Sequence, residues 1–241
     1  MTTSAQLETM VDDLTSTVDI DCALPLHELT ARVGEACDQA EARTDGAVVV
    51  LRLHGASTDG REWPGDVTVR LVNRWERALR RLERLDTVVI AAASGPCQGP
   101  ALDLLLTADY RIGAADLQLV LPVNDGHFWP GMSVYRLVQH LGMARARQIV
   151  LWGTDISAPK AAELGLIDAV TDHLEGLLPA EVVLAGRVSD KETAIRRRLL
   201  LEAGTVDFDE ALGTHLAACD RELRRLQENA RSAGESETTG A

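Results

Sequence analysis

The segment SGPCQGPALDLLL, from Ser94 to Leu106, sets a carboxylate four residues past a glycine-rich bend. The apolar run VVIAAA comes before it and ALDLLL after it, so the bend joins a buried strand to a helix. Gly99 can take backbone angles closed to other residues, and Pro100 suits the first helical position. A helix starting there turns its unpaired amides and positive dipole end back toward the bend. An oxygen gaining negative charge in a reaction would be stabilised at such a place, and Asp103 is close enough in sequence to move a proton beside it. The same acid could equally serve only to favour the helix N-terminus, and spacing does not separate the two roles.

The elements that must position this segment alternate between two periodicities. LHELTARVGEACDQAEA has helical spacing, with Leu26, Leu29, Val33 and Cys37 on one face. DGAVVVLRLHG and TVVIAAASG read as short buried strands. Between them Val72, Trp75, Leu79 and Leu82 mark a helix whose other faces carry arginines. YRIGA and LQLVLPV are two further strand candidates, and WPGMSVYRLVQHLG opens a helix. ISAPKAAELGLIDAV then reads as cap, helix, glycine stop and strand. Strands alternating with helices predict the α/β class. Near the end, Leu212, Leu216, Cys219, Leu223 and Leu226 recur at spacings of four and three, a stripe that suits a partner helix or an ordinary core.

The composition narrows the functional classes. A chain of 241 residues with 46% apolar and 25% charged residues is long enough for a sizeable core, which 3% aromatics leaves mainly aliphatic. The net charge of −13 argues against nucleic acid, which needs clustered cations. Four scattered cysteines form no CxxC pair, so neither a zinc site nor any other metal site is expected. Cys97 has no base in view and reads as an unreactive surface or loop thiol. With no signal peptide and no run long enough for a membrane helix, a cytoplasmic protein is expected. The expected organisation is a weakly ordered arm (1–15), a core (16–190), a helical region (191–230) and a disordered tail (231–241).

IAAASGPCQGPALDLLLTADYRIGA resembles the signature segment of the crotonase (enoyl-CoA hydratase/isomerase) family, with Gly95, Gly99, Asp103 and Asp109 in matching places. LPVNDGHFWPGMSVYRL and LWGTDISAPKAAELGLIDAV resemble the two segments that follow in that family. The resemblance implies a spiral of ββα units, assembled as a homotrimer or hexamer through the C-terminal helices. It implies an acyl-CoA thioester as substrate, no permanently bound cofactor, and two backbone amides holding the thioester oxygen. Asp103 then stands where hydratases of the family usually carry a glutamate, and Val123 stands in place of their second acid.

Further candidate site residues lie in and beside these segments. Both amide donors fall on or beside prolines, Pro64 and Pro100, which leaves Gly65, Gly99 or Ala101 to donate. Trp63, Val123 and Trp129 would line the acyl pocket, the tryptophans being equally suited to the core. Asp125 and His127 are candidates for a second acid or base, although NDG is also ordinary turn chemistry. Over most of its length the chain is also similar to the enoyl-CoA-hydratase-like enzymes of 3,5-dihydroxyphenylglycine biosynthesis. That likeness implies dehydration and aromatisation of a polyketide thioester beside a type III polyketide synthase. The competing expectation is a non-catalytic crotonase-fold partner that binds the synthase or its product.

Overall fold

The structure, a computed structural model, describes residues 15–43, 48–54, 67–124, 126–174 and 190–238. Five parallel strands build the main sheet: β1 (Thr15–Asp21), β2 (Val48–His54), β3 (Val89–Ala93), β5 (Tyr110–Ala114) and β10 (Ala169–Thr171), side by side in that order. Helices α1 (Leu26–Ala42), α2 (Val69–Glu83) and α3 (Pro100–Thr107) follow β1, β2 and β3 in the chain, giving the expected α/β class. The apolar strands owe their lack of alternation to burial on both faces. Val49, Leu51 and Leu53 of β2 and Val89, Ala91 and Ala93 of β3 join the large core with the three helices. Val48, Val50, Ile90 and Ala92, one residue out of phase, form a smaller cluster with Ile112 on the other face.

Between β3 and α3 the chain makes a two-residue strand, β4 (Pro96–Cys97), which pairs with β6 (Gln118–Leu119); β6 in turn pairs with β9 (Ile156–Ser157). The glycine-rich bend is thus pinned, with Gly95 and Cys97 carbonyls accepting from the Gln118 and Val120 amides at 2.9 and 3.0 Å. Cys97 is accordingly not a surface thiol: β4 turns it into the core, where it is 1% exposed. LQLVLPV is not one strand either. After β6 it stops short of Pro122, which has no N–H to give a ladder, and resumes as the hairpin β7 (Val123–Asn124) and β8 (His127–Phe128).

α4 (Ser133–Trp152) is broken at Gly142, whose φ of 72° is non-helical, and α5 (Ala158–Leu164) ends on the left-handed Gly165. His140 ties α4 inward. Its Nε2 lies 2.9 Å from the Leu106 carbonyl, which can only accept, and its Nδ1 lies 3.2 Å from Arg111 Nη1, which can only donate. Both contacts hold together only for the neutral imidazole protonated on Nε2. Arg111 also pairs with Asp168 at 3.2 Å, joining β5 to the start of β10.

The chain divides into two compact units, Met1–Thr193 and Ala194–Ala241. The second holds the remainder of α6 (Asp190–Ala203) and α7 (Phe208–Thr238), which Asp207 caps by accepting from the Glu210 amide at 2.9 Å. α7 runs through residues 231–238, where a disordered tail was expected. The stripe from Leu212 to Leu226 is exposed. No helix among the described residues is long and apolar enough to cross a membrane.

Gly113 of β5 has no room for a side chain. A Cβ there would stand 2.6 Å from Leu117 Cδ2 and 2.8 Å from Ile167 Cδ1, both in the buried core. Gly113→Ala should therefore cost about 1–3 kcal/mol, the range for overpacking, in urea unfolding followed by circular dichroism.

Candidate active site

The strand–bend–helix junction folds as its residues require. Gly99 takes φ 52° and ψ −123°, angles that a side chain would strain, and Pro100 opens α3. The amides then find partners within the chain. Ala101 donates to the Gln98 carbonyl at 3.1 Å and Asp103 to the Gly99 carbonyl at 3.0 Å, while Pro100 has no N–H. Ala101, expected as a possible donor to a thioester oxygen, is therefore already committed to Gln98.

Asp103 points into the core and is only 4% exposed. Its Oδ2 accepts from the Trp75 indole N–H at 3.1 Å, and the Ser133 hydroxyl acts on the same carboxylate. Oδ1 faces Arg136 Nη1 across 4.0 Å, too far for a hydrogen bond; both atoms are buried and neither has a hydrogen-bond partner. Arg136 is held from the other side. Its Nε donates to Glu83 Oε1 at 2.8 Å and its Nη2 to Glu76 Oε2 at 3.0 Å, and Arg80 supports Glu83 at 2.9 Å.

Asp103, Glu76 and Glu83 thus surround Arg136, with Arg80 on the far side of Glu83. Burial raises the Asp103 carboxyl above its ordinary range, and Arg136, Trp75 and Ser133 only partly offset that. Glu76 is raised too, first by burial and then by repulsion from Asp103, against the pull of Arg136. Burial also pushes the Cys97 thiol well up, so it stays neutral beside Asp103. Such a carboxyl can hold a proton that an exposed aspartate would lose, which an acid in a dry site requires. Among the described residues no group of His, Cys, Asp and Glu is arranged to hold a metal ion.

The remaining candidates are placed as follows. Val123 is 53% exposed at the start of the hairpin, and His127 is exposed on its second strand. Trp129 is half-buried, and its indole lies over Gly131: a Cβ there would stand 2.9 Å from Trp129 Nε1 and 3.6 Å from Ser133 Oγ. Through Gly131 and Ser133, then, the end of the hairpin adjoins the surroundings of Asp103. Trp63, Gly65 and Asp125 lie outside the described residues.

Sequence reasoning missed Glu76, Glu83, Ser133 and Arg136 and took Trp75 for a core residue alone. The glutamates are seven apart on one face of α2, which is a visible signal, but their arginine comes from α4, far along the chain.

The linkage works with a definite sign. A carboxyl raised on folding binds more protons in the native state, so its contribution to stability is present below the unfolded value near 4 and is lost as pH rises through the folded value. Asp103→Asn, whose side-chain carbonyl can still accept from Trp75, should be more stable than the parent at pH 8. The gain should be on the order of 1 kcal/mol and should vanish toward pH 4, read from urea midpoints across that range.

Comparison with known proteins agrees with this fold. The family described as enoyl-CoA hydratase/isomerase matches residues 69–236. An enoyl-CoA hydratase of Amycolatopsis orientalis is 44% identical over 207 residues, covering 86% of this chain and 94% of that protein. Among solved structures, the enoyl-CoA hydratase of Mycobacterium smegmatis superposes with a TM-score of 0.72 at 20% identity, covering 85% of this chain and 86% of that one. A Thermobifida fusca protein solved in complex with CoA gives 0.68 at 21% identity, covering 89% and 91%.

Proposed function

The chain belongs to the enoyl-CoA hydratase/isomerase family, and from that premise we propose that it dehydrates an acyl-CoA thioester with Asp103 as its acid–base group. The observation that carries this reading is the buried carboxyl of Asp103, raised above the ordinary range by burial, one turn past the bend at Gly99. The substrate in this reading is a polyketide thioester with a hydroxyl at its β-carbon, made beside a type III polyketide synthase. Loss of water and aromatisation give 3,5-dihydroxyphenylacetyl-CoA.

One carboxyl suffices for the chemistry. As the carboxylate, Asp103 takes the proton from the α-carbon, and the electron pair moves into the thioester carbonyl as an enolate. The enolate collapses to the alkene while the β-carbon–oxygen bond breaks. Asp103 returns its proton to the departing hydroxyl, which leaves as water, and the carboxylate is restored. Such general acid–base help is worth about 10²- to 10⁴-fold, and a product that becomes aromatic needs little more. The Gly99 and Gly65 amides are the donors we assign to the thioester oxygen, and Trp63, Val123 and Trp129 the wall of the acyl pocket. Asp125 or His127 would serve if a second acid or base takes part. Assembly as a trimer or hexamer through the exposed stripe of α7 belongs to the same reading.

A second reading rests on a specific observation: the Ala101 amide is already used, and Val123 cannot ionise. On that reading the chain is a partner that binds the synthase or its product without chemistry of its own. The deciding measurement is the rate at which a type III polyketide synthase forms 3,5-dihydroxyphenylacetyl-CoA from malonyl-CoA. It is made with no addition, with the wild-type protein, and with folded Asp103→Asn. Acceleration by the wild type and at least a tenfold loss of it in the variant are expected; equal acceleration by both would leave the binding role.

A further inference from the structure

Among the described residues, the cation that faces Asp103 is Arg136. Arg136 is 4.0 Å away, close enough for attraction but not for a hydrogen bond, and it cannot swing closer while Glu83 and Glu76 hold two of its nitrogens at 2.8 and 3.0 Å. Glu76 and Glu83 lie on one face of α2, beside the Trp75 that bonds the other oxygen of Asp103. The facing atoms, Asp103 Oδ1 and Arg136 Nη1, are the ones left without partners. The guanidinium is therefore fixed in place by two glutamates, and the oxygen it faces keeps its lone pairs free.

We propose that Arg136 and Glu76 are positioning residues that govern, with opposite sign, the protonation of Asp103. Arg136 favours the carboxylate by its charge. Glu76 favours the acid in two ways: the two carboxylates repel each other, and Glu76 holds the guanidinium at arm's length. This extends the proposed function, since it rests on Asp103 as the group that moves the proton. The other titratable groups around the carboxyl do not alter the sign. Glu83, also from α2, lies between Arg80 and Arg136 and acts on the guanidinium in the same direction as Glu76. Cys97 from β4, with Cys22 beyond it, is a neutral buried thiol. His140, near Glu83, is the neutral tautomer fixed by Leu106 and Arg111.

The test reads Asp103 directly. In protein labelled with ¹³C in aspartate carboxyls, the infrared band of the protonated Asp103 is the one absent from Asp103→Asn, and its intensity against pH gives the midpoint. In Glu76→Gln the midpoint should fall by about one pH unit, and in Arg136→Met it should rise by about one unit or more. Removing Arg136 leaves glutamates unpaired, so that variant can fail to fold; Glu76→Gln removes a costly charge and then decides alone. A midpoint that stays put or rises in Glu76→Gln, or that moves the same way in both variants, overturns the proposal, because residues that only build the core have no reason to act in opposite directions. The pH–rate profile should move with the midpoint. A midpoint that moves while the profile stays still would uphold the positioning role and remove Asp103 from the chemistry.

Discussion

The guanidinium of Arg136 is the point on which the interior depends. It stands between α2, which supplies Glu76 and Glu83, and α3, which supplies Asp103, so one cation holds three helices to a common centre. At 4.0 Å and an effective dielectric constant near 20, its attraction for Asp103 is about 4 kcal/mol. Taking a carboxylate out of water costs several kcal/mol. The upward displacement of the Asp103 carboxyl says which effect wins: desolvation does, with the indole of Trp75 and the hydroxyl of Ser133 narrowing the gap. An apolar core of the same shape would serve the fold at least as well. A carboxyl raised by burial beside a charge cluster is of the kind found at functional sites, and structural ion pairs can raise one too.

Much of the frame was legible because it is local. The α1 stripe at Leu26, Leu29, Val33 and Cys37 is the buried face, and the run from Val48 onward is a strand buried on both sides. The glycine bend and Pro100 behave as their backbone chemistry dictates. β1 escaped notice although TSTVDID alternates, because only Val18 and Ile20 are apolar and its pairing with β2 is what makes it a strand. Pro122 hints at the split of LQLVLPV, but the partner that makes β6 a strand, β9, lies more than thirty residues further on. Local spacing does not carry that information.

The site was legible only at its centre. Asp103 could be singled out by its distance from Gly99, but whether it faces solvent or the core is settled by α2 and α4. An arginine and two glutamates on separate helices look, one by one, like solvated charges. Their grouping is a tertiary fact. The same holds for Cys97, whose loop-like neighbours conceal a two-residue strand that buries it.

The order of the sheet bears on how this centre comes into being. β1, β2, β3 and β5 lie side by side in chain order, but the edge strand β10 joins β5 only after the chain has passed through the second sheet, the hairpin, α4 and α5. Closing so long a loop costs entropy before any contact repays it, so pairing of this kind tends to come late. α4, which carries Ser133 and Arg136, lies inside that loop. The strands and α1 to α3 can gather around a hydrophobic centre while Asp103 still lacks its cation. Asp103 thus meets Arg136 and Ser133 only once α4 has packed onto α2 and α3.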